Sequence, residues 1–137
     1  MIDDPSIRRI MNFSSKWGYG NLIVVNLFAR ISSNPKLIRR CKDPIGESNN
    51  QIIRDSLNIW SNNPNWDLWL GWGDKGILYN RNIEVLKMLK IHNANRISKF
   101  PKALGPMSLG LTMKDQPRHP LYVSGREFLK PFSFPKW

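Results

Sequence analysis

Apolar and polar positions alternate along the chain in blocks that change period several times. Near the start, Ile7, Ile10, Met11 and Trp17 recur at helical spacing, with Arg8, Arg9 and Lys16 toward the opposite side. Asp4 suits a cap, Pro5 the first helical position and Gly18 a stop, so a helix is expected between them. Leu22 to Ala29 then runs apolar and β-branched, broken only by Asn26, which predicts a strand covered on both faces as in a parallel sheet. Asn34-Pro35 opens a short basic helix through Arg40, and Asp43-Pro44-Ile45-Gly46 reads as a turn.

Helical period returns from Glu47 to Asn62, where Ile52, Ile53, Leu57, Ile59 and Trp60 form the apolar stripe. Trp66 to Trp72 predicts a second buried strand ending at Gly73, and Arg81 to Lys90 a helix with Ile83, Leu86 and Leu89 inward. Arg96 to Phe100 suggests a short third strand. From Pro101 to Trp137, Pro and Gly are frequent, so mostly loop is expected, with extended pieces at Ser108 to Thr112 and Leu121 to Val123. Alternating helix and strand give an α/β class with a parallel sheet, in one domain over residues 1–137.

Composition narrows the classes. With 41% apolar and 23% charged residues, the chain is globular in character. No apolar run reaches the roughly 20 residues of a membrane span, and Met1-Ile2-Asp3-Asp4 is acidic where a signal peptide is basic. The expectation is a cytoplasmic protein with no membrane partner. One cysteine excludes an internal disulfide, and two histidines beside it argue against a Cys/His zinc site, so neither metal nor cofactor is expected. Cys41, between Arg40 and Lys42, has a lowered-pKa setting but no companion that would make it a nucleophile.

Charge is uneven. The net charge is +11, and residues 75–137 carry twelve basic and three acidic residues against nine and seven before them. A one-sided positive field attracts polyanions, which points to DNA or a nucleotide as partner.

In open parallel sheets ligands bind beyond the carboxyl ends of the strands. That rule selects Asn26 to Arg30, Trp72 to Lys75 and Thr112 to Tyr122. Asn26 is the polar exception in an apolar strand; as a buried amide it serves either a ligand or a structural tie between loops. In Gln116-Pro117-Arg118-His119-Pro120-Leu121-Tyr122 two prolines stiffen a loop holding a guanidinium beside an imidazole, a pair suited to a phosphate or a developing anion. Trp17-Gly18-Tyr19-Gly20 is no dinucleotide fingerprint, because Ile23 stands where a third glycine belongs and the motif precedes its strand. Trp66, Trp69 and Trp72 suit base stacking, yet Trp69 and Trp72 on one strand face opposite ways, which assigns most of them to the core.

Several motifs stand in a fixed order: Asp3-Asp4-Pro5-Ser6-Ile7-Arg8-Arg9, Trp17-Gly18-Tyr19-Gly20, Val24 to Ala29, Asp43-Pro44-Ile45-Gly46, Trp72-Gly73, Gly110-Leu111-Thr112 and Arg118-His119-Pro120-Leu121-Tyr122. Together they resemble the bacterial and phage family known as domain of unknown function 1643, over essentially the whole chain. A strand ending in Asn and a late His-Pro loop are also similar to the uracil-DNA glycosylase superfamily. That similarity implies a three-layer α/β/α domain with a short, mostly parallel sheet. It also implies a site engaging a nucleobase, nucleotide or DNA, with Asn26 as a base-contact or strand-end residue, His119 stabilising the departing base and Arg118 on phosphate; together with Trp72 and Asp74 these make the expected site, where a flipped base stacks on an aromatic such as Trp72 or Tyr122. The alternative is a non-catalytic basic nucleic-acid-binding protein. Members of the family usually begin with a further strand and an Asn-Pro turn, so relative to them the chain is expected to lack a first strand and to leave Leu22 to Ala29 with an unpaired edge.

Overall fold

The computed structural model describes residues 5–27 and 48–135. Helix α1 spans Pro5–Lys16, α2 Asn49–Ser61 and α3 Arg81–Lys99, and three two-residue strands follow the order β1 (Trp69–Leu70), β2 (Met107–Ser108) and β3 (Lys130–Pro131). These form a mixed sheet. Strands β1 and β2 run parallel, pairing Trp69 with Met107 and Leu70 with Ser108; β2 and β3 run antiparallel. The described residues are thus helices on a small three-stranded sheet, an α/β fold.

Period-two geometry sends successive residues of β1 to different cores. Leu70 joins Ile53, Leu57 and Trp60 of α2, Val85, Leu86 and Leu89 of α3, and Phe132. Trp69 turns instead toward Phe13, Leu109 and Val123, and stacks edge-on with Phe13 and Trp17 at 5.8 and 5.2 Å between centroids. Each fully buried large apolar side chain in these clusters contributes about 1.5–3 kcal/mol.

Four elements differ from the pattern in the sequence. Residues 22–27 form no strand, and Leu22, Ile23, Val24 and Val25 are exposed; among the described residues no strand pairs with them, and without a ladder extended chain gains no inter-strand hydrogen bonds. The second strand is confined to Trp69–Leu70. The predicted third strand, 96–100, is the final turn of α3, which runs through Arg96 and Lys99. Nothing breaks the helix before Pro101; the proline excludes Phe100 from helical backbone, and Phe100 sits at φ −134°, ψ 79°. Basic Arg96 and Lys99 in the last turn and Glu84 in the first complement the helix dipole. Ile83 faces solvent, with Val85 taking its inward place. Lastly, residues 120–122 coil into a 3-10 turn instead of extending. The predicted cap at Asp4, the basic helix near 35–40, the turn at 43–46 and Cys41 lie outside the described residues.

Helix α1 buries the expected face in part: Ile7, Ile10 and Trp17 are half-buried beside the buried Phe13 and Ser14, whereas Met11 is exposed and two cations of the polar side, Arg9 and Lys16, reach across to the C-terminal loop. The interior of the other half is tied by Arg96, which is buried and donates to carbonyls at Trp60, Asn63, Trp66 and Leu104.

Candidate functional site

Loops leaving β1 and β2 at their carboxyl ends interlock. From β1 the chain runs through Gly71-Trp72 into a 3-10 segment, Gly73–Asn80; from β2 it runs through Gly110 to Tyr122. The Gly73 amide donates to the Pro117 carbonyl at 2.8 Å, and the Arg118 amide donates to the Gly110 carbonyl at 2.9 Å. Gly73 has φ +66°, and a Cβ there would stand 3.2 Å from the His119 Cβ, so only glycine lets the loops touch at this point. The Trp72 ring packs against Gly76, and its Nε1 donates to Gln116 Oε1 at 2.9 Å.

Thr112 organises the second loop. Its hydroxyl accepts from the amides of Lys114 and Gln116, which commits its own proton to Asp74 Oδ1 at 2.6 Å. Pro117 and Pro120 are fully buried, so the loop they bracket is held from both sides. His119 caps the 3-10 turn Pro120–Tyr122: its Nδ1 accepts from the Leu121 amide at 3.2 Å. In the neutral ring the proton therefore resides on Nε2. Tyr122 lies 5.7 Å from the His119 ring, is largely exposed, and accepts through its carbonyl a bond from Arg118 at 3.4 Å.

Opposite these loops, Asn26 is exposed, not the buried amide that its place in an apolar run implies. The tie at this point runs through its backbone. Asn49 Nδ2 donates to the carbonyls of Asn26 and Leu27, and Arg81 Nε donates to Leu27. Arg81 is itself buried, and burial holds its guanidinium below the ordinary arginine range while Glu84 at 3.1 Å opposes that shift.

A cavity of about 1430 Å³ opens between the two sides. Asn26, Trp72, Asp74, Arg118, His119 and Tyr122, the six residues selected from sequence, all line it. Its polar walls are the two interlocked loops; its inner walls are core residues such as Ile53, Leu57, Leu70 and Val85. At the far rim the Tyr19 phenol donates to the Asp67 carboxylate, and burial together with Asp67 pushes its pKa up to about 12. Among the described residues no group of His, Cys, Asp and Glu is placed to hold a metal ion, and no helix is long and apolar enough to cross a membrane.

Thr112, Gln116, Asn49 and Arg9 are not among the six residues named from sequence as the site. Thr112 and Gln116 lie inside the loop that the strand-end rule marked, but their work is to fix neighbours, and nothing in their spacing announces it. In comparison with known proteins, a family model described as protein of unknown function (DUF1643) matches residues 1–121. No curated protein and no solved structure matches.

Proposed function

From the premise that the chain belongs to the DUF1643 family, we propose that it is a single three-layer α/β domain engaging a nucleobase, nucleotide or DNA strand in the cavity beyond β1 and β2. The observation that carries this reading is convergence: one cavity is walled by an aromatic pair, a carboxylate, a guanidinium and an imidazole, supplied by loops at the carboxyl ends of two parallel strands. The parts divide the ligand between them. Trp72 and Tyr122 offer ring faces for a base. Arg118 offers a planar fork for phosphate, and Asp74 accepts from a ring N–H or a sugar hydroxyl.

The reaction this set suits is base excision. The C–N bond between sugar and base breaks, its electron pair departs with the base, water adds to the sugar carbon, and the proton that the water loses ends on the base nitrogen. His119, with its proton on Nε2, steadies the negative charge that grows on the base, and Asn26 contacts the base from the opposite wall.

A second reading has its own support. Lys87, Lys90, Lys99, Lys102, Lys114 and Arg126 are all exposed, and a cationic surface of that kind binds phosphate backbone without any pocket. Fluorescence anisotropy with a labelled, uracil-containing single-stranded oligodeoxynucleotide separates the two. On the site reading, His119→Ala or Trp72→Leu weakens binding by about tenfold or more, roughly 1.4 kcal/mol, with a shallow salt dependence. Binding that collapses steeply with salt yet ignores both substitutions would establish the basic surface instead. No binding by the folded protein would remove both.

A further inference from the structure

We propose that Arg9 is a positioning residue for His119, acting from a helix that contributes no ring, carboxylate or imidazole to the polar wall of the site. Resting on the reading of His119 as a ligand-contacting group, the inference follows from where the guanidinium goes. Arg9 Nη2 donates to the Val123 carbonyl at 2.7 Å and Nε donates to the Pro120 carbonyl at 3.3 Å. Those two carbonyls bracket the 3-10 turn that His119 caps. The turn brings the Leu121 amide onto His119 Nδ1, and that bond sets which nitrogen carries the proton. A planar fork spans both carbonyls in fixed geometry, which a point charge cannot do. The fork is itself held, since the guanidinium lies 5.0 Å over the Phe13 ring one helical turn along. Two turns from Arg9, Lys16 donates to the Gly125 carbonyl at 2.7 Å, so α1 grips the same stretch at a second point outside the turn.

The control is therefore built in: Lys16 anchors the chain, whereas Arg9 anchors the turn. Nitrogen-15 NMR of histidine-labelled protein reads the tautomer, and with two histidines in the chain His119→Ala assigns the signals. In the wild type the His119 Nε2–H tautomer is expected to dominate. Arg9→Met is expected to mix the tautomers and to weaken oligonucleotide binding by about tenfold. Arg9→Lys should restore part of each effect, and Lys16→Met should leave the tautomer as it is. The proposal is overturned if folded Arg9→Met keeps the wild-type tautomer, or if Lys16→Met disturbs it equally. Should Arg9→Met fail to fold, Arg9→Lys and Lys16→Met decide by the same comparison. Failure of the wild type to bind nucleic acid would end the functional reading alone, because the tautomer comparison needs no ligand.

Discussion

Replacing Arg96 tests a buried cation that ties α2, α3 and the chain between and after them through backbone carbonyls. Its side chain is 1% exposed and makes four hydrogen bonds, all to backbone carbonyls. Three acceptors belong to the end of α2 and the chain after it (Trp60, Asn63 and Trp66), and the fourth, Leu104, follows α3. The guanidinium also stacks 4.6 Å over the Trp60 ring. Burial lowers the Arg96 pKa, and the charge of Asp67 opposes that shift. Arg96→Met keeps most of the stem and removes every donor. The bond to Trp60 is the fully buried one, and an abandoned dry carbonyl costs about 1–3 kcal/mol. The other three bonds are partly buried; water can replace them, leaving about 0.5–1.5 kcal/mol each.

Relief from desolvating the cation offsets part of this sum, so a net loss of about 3–5 kcal/mol is expected. With about 2.1 cal/mol/K of unfolding entropy per residue over 137 residues, that lowers Tm by roughly 10–17 °C. Urea denaturation followed by tryptophan emission measures it directly. Arg96→Lys should do no better, since an ammonium cannot point at four carbonyls lying in different directions. A loss below about 1 kcal/mol for the Met variant would refute the reasoning, because the carbonyls would then be satisfied without the arginine.

Two further outcomes are expected. The stability contributed by the Tyr19 phenol is present in full below its ordinary pKa of 10.0 and lost as pH rises through about 12, so ultraviolet titration of wild type against Tyr19→Phe should show one tyrosine ionising near 12. Gly76→Ala should cost about 1–3 kcal/mol by overpacking and shift tryptophan emission, because the new Cβ falls 2.2 Å from Trp72 Cδ1; Gly20→Ala, with nothing within 4 Å, should change stability by less than about 0.5 kcal/mol in the same melts.

How far the fold was legible depends on whether a signal was local. The first helix was marked by Pro5 and Gly18 and the second by its 3.6-residue stripe; both formed close to the expected bounds, although of the stripe only Ile53, Leu57 and Trp60 are buried while Ile52 and Ile59 face solvent. Extension of α3 to Lys99 was missed because Ile97 and Phe100 look like strand residues, although the decisive letter is Pro101. Leu22 to Val25 misled for a deeper reason. Strand propensity reports that a segment fits a pleated, half-buried surface, but the surface must be supplied by a neighbour elsewhere in the chain. With no strand paired to them among the described residues, Leu22, Ile23, Val24 and Val25 stand exposed, the last three along the cavity.

The site divides along the same line. The residues proposed to meet a ligand were picked from strand ends and polar exceptions, which are written locally, and all six line one cavity. The residues that hold them were not picked. Arg9 meets Val123 across 114 positions and Trp72 meets Gln116 across 44, and no spacing rule reaches so far. Yet those supports decide what the contacting groups can do. Thr112 turns its proton to Asp74 while two amides fill its lone pairs, and in the neutral His119 ring the Leu121 amide on Nδ1 leaves the proton on Nε2. Sequence thus names the chemical groups, while the protonation and orientation that turn them into a site are set by contacts that exist only after folding.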